Sequence, residues 1–115
     1  MFRFSSSEIG IIQGVVQLVS DFDTNGPLWT ADGDRSVRRH VIFPERFLTS
    51  PAVQVAIVMW DIDGSTNQRG DLSVANVTPA GFEMIFKTWG DSRIARMRVQ
   101  WTAIGALPDD DDFVL

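Results

Sequence analysis

The chain of 115 residues has no cysteine, one histidine and no long hydrophobic run. The absence of cysteine excludes disulfides, thiolate catalysis and thiolate metal sites. His40 lies in the middle of a predicted strand, and no Ser–His–Asp arrangement is recognisable around it, so nucleophilic catalysis lacks an obvious base. A membrane helix needs about 20 apolar residues in a row, and no segment supplies them. We therefore expect neither nucleophilic catalysis nor insertion into a membrane.

The net charge is also small outside one short segment. The net charge is −5, and the run from Asp109 to Asp112 supplies four of these charges, which leaves about −1 for the rest. The ten basic residues are scattered along the chain, so no nucleic-acid-binding surface is predicted. We interpret the acidic run as a solvated tail. The expected organisation is one domain, residues 1–107, followed by an acidic tail, residues 108–115.

The N-terminal segment lacks the features of a secretion leader. Glu8 and Gly10 interrupt it where a leader needs an unbroken apolar stretch, and no small-residue cleavage site follows residues 11–19. Hydrophobic residues make up 44% of the chain and charged residues 22%, as in ordinary globular proteins. The sequence therefore predicts a soluble chain without a signal peptide.

Alternation of apolar and polar residues is the main structural signal. It is unbroken over residues 97–103, and alternate side chains of a strand point to opposite faces. Similar patterns predict a set of about six strands, at residues 11–19, 37–43, 52–60, 72–77, 82–89 and 97–103. Turn residues separate them, and the short segment 78–81 predicts a hairpin. This density of short strands and turns favours a sandwich or barrel.

Three finer expectations follow from the same patterns. Residues 5–18 carry a broken amphipathic pattern that competes with a strand, and we favour a strand from Ile11 onward. Residues 52–60 are so rich in β-branched side chains that this strand should be covered on both faces. Trp60 and Trp101 lie in apolar strands and are expected in the core.

Two acidic groupings invite a catalytic or metal-binding interpretation and do not sustain it. Asp61 and Asp63 precede Gly64, but the other ligand positions of a calcium-binding EF-hand are missing. The pairs Asp32/Asp34 and Asp61/Asp63 could suggest glycoside hydrolysis, which requires one carboxyl group with a raised pKa. The sequence gives neither pair an apolar setting. We expect no catalytic residue, no metal and no cofactor.

A series of motifs in fixed order resembles a known family. From Arg35 to Gly105 the chain reads Arg-x-Val-x-x-x-Val-x-Phe, Phe-x-x-x-Pro-x-Val, Val-Thr-Pro-Ala-Gly-Phe, Thr-Trp-Gly-Asp-Ser and Val-Gln-Trp-Thr-Ala-Ile-Gly. Together they resemble the H-type lectin domain of snail agglutinins and discoidins. The resemblance implies an all-β, six-stranded antiparallel sandwich that assembles as a trimer or as a hexamer of two stacked trimers. It also implies glycan sites between protomers, commonly selective for galactose or N-acetylgalactosamine, and hence a ligand outside the cell or on its surface.

Carried over position by position, the family's sugar-binding residues fall on Asp32, Arg69 and Trp89. A carboxylate accepts hydrogen bonds from two sugar hydroxyls, an arginine donates them, and an indole offers a flat apolar face. Trp89 also shares its strand parity with the polar residues of its strand, where a binding platform would stand.

The chain departs from the family at several of the carried-over positions. A histidine of the snail lectin is replaced by Gly90, a tyrosine by Ala95 and a glycine by Thr30. Gly90 and Asp91 complete the candidate sugar-binding set. Ser92 and Arg93 are further candidates for replacement contacts.

Two functions from different classes remain open. The first is a multivalent lectin that binds sugars weakly at each of several sites. The second is a trimeric structural or host-attachment module of a larger, virus-like particle, with little or no sugar binding; the missing leader and the lost pocket residues favour it. Glycan binding by an intact trimer distinguishes them.

Overall fold

The computed structural model describes residues 1–5 and 8–109. Six strands account for most of this part of the chain: β1 (Ile9–Val19), β2 (Arg35–Ile42), β3 (Ala52–Ile62), β4 (Asp71–Thr78), β5 (Gly81–Thr88) and β6 (Ile94–Ala106). Two one-turn helices, α1 (Asp21–Thr24) and α2 (Pro27–Thr30), lie between β1 and β2. In this part of the chain no helix is long and apolar enough to cross a membrane.

The strands form two antiparallel sheets, in the orders β1-β6-β3 and β2-β5-β4. Side chains from both sheets pack into one hydrophobic core. Phe43, Phe82 and Trp101 lie at its centre, with ring centroids 5.5 to 5.8 Å apart. Aromatic pairs at such distances stabilise beyond their burial alone. The architecture is the predicted all-β sandwich.

The six predicted strands are confirmed, with ends shifted by a few residues. The strand predicted from Ile11 begins at Ile9, so the helical alternative for residues 5–18 is wrong where the chain is described. The predicted hairpin joins β4 to β5, and its turn is closed by the Thr78 hydroxyl, which accepts hydrogen bonds from the amides of Ala80 and Gly81.

Other expectations need correction. The two short helices were not predicted, because four residues are too few to display a helical period. The expectation that β3 is covered on both faces is wrong for the single chain, since Ala56, Ile57 and Val58 are exposed. Trp101 is buried as predicted, whereas Trp60 is only partly buried and packs edge-on against Phe86 at 5.9 Å. Residues 110–115 of the predicted acidic tail lie outside the described residues.

Candidate functional site

Three loops meet at one end of the sandwich and carry every predicted site residue. They are residues 31–34 before β2, residues 63–70 between β3 and β4, and residues 89–93 between β5 and β6. The pairings of Arg35 with Thr88, Asp71 with Lys87 and Ile62 with Ile94 bring the loops together. The strand register therefore assembles the site.

The buried guanidinium of Arg35 ties these loops to one another and to α2. The residue is 8% exposed, and five hydrogen bonds run from its side chain to backbone carbonyl oxygens. The acceptors are those of Gly33 (2.8 Å), Ser92 (2.8 Å), Gly90 (3.2 Å), Pro27 (3.3 Å) and Leu28 (3.3 Å). Burial lowers the pKa of Arg35 and nearby Arg93 adds to this effect, whereas Asp32 opposes it. An arginine stays protonated despite such a shift.

Ser92 holds the second and third loops together. Its side chain is fully buried, and its hydroxyl accepts a hydrogen bond from the Arg69 amide at 2.9 Å. The same hydroxyl lies 2.9 Å from the Trp89 carbonyl oxygen and 3.2 Å from that of Asn67, either of which can accept its proton. The Thr88 hydroxyl donates to the Arg69 carbonyl. Hydrogen bonds with the buried hydroxyls of Ser92 and Thr88 thus hold the backbone of Arg69 and Trp89 in place.

Trp89 directly follows β5 and is the first residue of the loop between β5 and β6. Its side chain remains 41% exposed although its neighbour Thr88 is buried. A large aromatic ring that keeps this much exposure on a structured loop can receive a ligand face. The outcome that would have removed it from the candidate site, complete burial of the indole, is not what the protein shows.

Arg69 and Asp91 form an ion pair beside the glycine that follows Trp89. The guanidinium Nη1 lies 2.9 Å from the carboxylate oxygen, with 39% and 51% of the two side chains exposed. This hydrogen bond is the main reason that the pKa of Asp91 is lowered. Gly90 adopts a φ of +69°, and a Cβ there would lie 3.0 Å from Arg69 Nη1. Gly90, where the resemblance implies a histidine, therefore has a backbone conformation that favours glycine.

Asp32 pairs with a different arginine. Its carboxylate lies 2.6 Å from Nη1 of Arg93, and its side chain is 70% exposed. The Ala31 carbonyl accepts a second hydrogen bond from the same nitrogen, also at 2.6 Å. The Gly33 amide donates to the Gly90 carbonyl at 2.9 Å, which holds the Asp32 loop against the Trp89 loop. Within one chain, Asp32, Trp89 and the Arg69–Asp91 pair therefore belong to one connected group of loops.

Three carboxylates have a pKa that is shifted in the folded chain. Among the described residues, the aspartates with a shifted pKa are Asp23, Asp63 and Asp91, and all three shifts are downward. For Asp63 the main cause is the hydrogen bonds from Ser65. A general acid in glycoside hydrolysis needs the opposite shift.

A cavity of about 400 Å³ opens next to Trp89. Ligand pockets in proteins commonly have volumes of about 300–1,000 Å³. Besides Trp89 and the buried Arg35 and Thr88, its lining consists of Asp34, Ser36, Asp71 and Lys87.

The structure brings some of the candidate residues together and excludes others from the site. The loop framework gathers Asp32, Arg69, Trp89, Gly90 and Asp91 at one end of the chain. The suggestion that Ser92 contacts a ligand is wrong, because its hydroxyl is buried and engaged by backbone groups. Ala95 is also buried, so it supplies no pocket wall. Arg35 belonged to a family motif, but nothing in the sequence revealed its carbonyl partners.

Two three-stranded antiparallel sheets and a loop end joined by hydrogen bonds define the chain as a β-sandwich. The model of the H-type lectin domain matches residues 38–104, more than half of the chain. The chain belongs to the H-type lectin domain family.

Similar proteins fall into two groups. A protein of Fuscovulum blasticum named "ATP synthase subunits region ORF 7" is 50% identical over 113 residues, which cover 98% of this chain and 97% of that protein. Discoidin-2 of Dictyostelium discoideum is 32% identical over 73 residues, covering 63% of this chain and 28% of the discoidin. The structure of recombinant discoidin II from the same organism superposes with a TM-score of 0.72 at 25% identity, over 91% of this chain and 40% of the discoidin. The chain thus spans less than half the length of the discoidins it matches.

Proposed function

We propose that this protein is a multivalent lectin that recognises terminal galactose- or N-acetylgalactosamine-type sugars at sites between the protomers of a trimer. The observation that carries the proposal is the exposed indole of Trp89 on a loop end fixed by Arg35 and Ser92. Membership of the H-type lectin family supports the same conclusion.

The chemistry of the loop end suits a pyranose. The apolar C–H face of the sugar would lie on Trp89, while its hydroxyls donate to Asp32 and Asp91 and accept from Arg69. Hydrogen bonds to ionised groups are about twice as strong as neutral ones. Both carboxylates already pair with arginines, which holds them in place. Such pre-organisation lowers the entropy lost on binding.

Each site would bind weakly and the assembly strongly. A shallow site that buries little surface should have a Kd between about 1 mM and the high micromolar range. Several sites on one assembly raise the avidity for a sugar-coated surface by about 10²–10⁴. A trimer repeats the site around one axis.

The outer face of the β1-β6-β3 sheet supports the trimer. Strand register sets Ile11, Ile104 and Ala52 side by side across the three strands, and both isoleucines are exposed. Val15 and Ala56 flank Gln100 further along the same face. The apolar sequence of β3 is typical of a strand that is buried on both faces, whereas the single chain buries only one of its faces. We propose that neighbouring protomers supply the second cover.

Glycan-array binding tests the lectin function directly. We expect Trp89→Ala and Asp32→Ala to abolish binding to galactose-type glycans while the far-ultraviolet circular dichroism remains that of the wild type. Asp61→Ala is the matched control, because Asp61, like Asp32, pairs with a partly exposed arginine but lies on β3, outside the loops that carry the predicted site. Wild-type binding by both site variants would refute the proposed site.

The oligomeric state tests the assembly. We expect the wild-type protein to sediment as a trimer or hexamer and Ile104→Asp to sediment as a monomer, because the new charge would be buried at the contact. A monomeric wild type would contradict the proposed contact. Intact trimers that bind no glycan and co-purify with a larger particle would favour the structural or attachment module instead.

A further inference from the structure

A row of polar side chains crosses the β2-β5-β4 sheet beside Trp89. Lys87 of β5 is paired with Ser36 of β2 on one side and with Asp71 of β4 on the other. Directly opposed residues of antiparallel strands have Cβ atoms about 5 Å apart. These three residues line the 400 Å³ cavity together with Trp89 and with Asp34, which lies one residue before β2.

Within the described residues, the polar side chains of this row have no partner in the protein. Among residues 1–5 and 8–109, every aspartate other than Asp34 and Asp71 makes a hydrogen bond, an ion pair or another electrostatic contact. Neither Ser36 nor Lys87, the single lysine of the chain, makes a side-chain hydrogen bond or ion pair within the same residues. Four polar side chains that make no hydrogen bond or ion pair within the described residues therefore lie together in one cavity.

Their chemistry defines the ligand that fits. A carboxylate, a hydroxyl, an ammonium and a second carboxylate alternate acceptors with donors across the cavity. Neighbouring hydroxyls of a sugar both donate and accept, so they can satisfy such a row. Asp34 and Asp71 balance the charges of Lys87 and Arg35, so the cavity lining is neutral overall and offers no excess positive charge to an acidic sugar. The side chains are those of a site for a neutral, polyhydroxylated molecule.

We propose that this cavity holds the second sugar of a neutral glycan whose terminal sugar lies on Trp89. This inference rests on the proposed lectin function and extends it from a monosaccharide to a disaccharide. Asp34 and Asp71 accept hydrogen bonds from the second sugar, and Lys87 donates to it. The cavity, and not the terminal-sugar site, then selects among linkages.

Isothermal titration with matched ligands tests the proposal. The probes are methyl galactoside, lactose, galactosyl-β1,3-N-acetylgalactosamine and a sialylated lactose. We expect at least one neutral disaccharide to bind about five- to tenfold more tightly than methyl galactoside, the gain of one or two net hydrogen bonds. Asp71→Asn and Lys87→Met should each remove most of this gain and leave the affinity for methyl galactoside unchanged.

Glu45→Gln is the matched control, because Glu45 is an exposed carboxylate beyond the opposite end of β2. Equal affinities of wild type for methyl galactoside and both neutral disaccharides would overturn the second-sugar site while leaving the lectin function intact. A disaccharide gain that persists in both cavity variants, or tighter binding of the sialylated sugar, would also overturn it. Binding of none of the sugars would refute both proposals.

Discussion

Replacement of Arg35 by methionine should destabilise the protein more than replacement of an exposed arginine. Methionine retains much of the apolar stem but removes the guanidinium and its five hydrogen bonds to backbone carbonyls. The carbonyls of Leu28 and Ser92 accept buried bonds. A buried acceptor left without its donor costs about 1–3 kcal/mol.

The other three carbonyls are only partly buried and can bond to water instead. We therefore expect Arg35→Met to lower the free energy of unfolding by about 2–4 kcal/mol. For a domain of this size the melting temperature should fall by about 10 °C. The measurement is urea denaturation followed by tryptophan fluorescence, with linear extrapolation to water.

Arg38→Met provides the matched control. Arg38 makes an ion pair with Glu83 at 2.7 Å, but its side chain is 61% exposed. Exposed ion pairs contribute about 0–1 kcal/mol. If Arg35→Met destabilised the protein no more than Arg38→Met, the carbonyl network would not be what holds the loops, and the reasoning would fail.

Three further predictions concern the loop end of the sandwich and the hydrophobic core. Gly90→Ala should lower the free energy of unfolding by about 1–2 kcal/mol, because φ is +69° there, whereas Gly64→Ala, with open space around it, should change it by less than about 0.5 kcal/mol in the same urea assay. Phe82→Ala should cost about 3–5 kcal/mol by calorimetry, since the ring is fully buried; a loss below about 1 kcal/mol would contradict the described packing. The pKa of Asp91 is lowered in the folded chain, so its contribution to stability is present above about pH 4 and is lost as the pH falls through the folded value. Urea denaturation between pH 2.5 and 7 should show a smaller acid loss for Asp91→Asn, and an identical loss would count against the Arg69–Asp91 pair.

Much of the sandwich could be predicted because alternation is a local property of a strand. Residues 97–103 alternate without a break and form the centre of β6, and the turn chemistry of residues 78–81 sets the β4–β5 hairpin. The same parity argument indicated that Trp89 lies apart from the core face of its strand, and the indole is indeed exposed.

The remaining features depend on information that no local pattern contains. The apolar residues of β3 indicate cover on both faces, but a pattern cannot say whether the cover comes from the same chain. Ser92 looked like a ligand contact because it is polar and follows Trp89, yet its hydroxyl serves the backbone. Arg35 begins one of the recognised motifs, but only the fold shows that carbonyl oxygens surround its guanidinium.

The acceptors of Arg35 are all main-chain oxygens. The conformation of the loops therefore does not depend, through this residue, on which side chains the loops carry. A side chain at position 32, 89 or 91 can be exchanged without removing any atom that the guanidinium holds. These three side chains can therefore vary while the backbone scaffold beneath them stays constant. The fold is a suitable starting point for libraries that vary these positions.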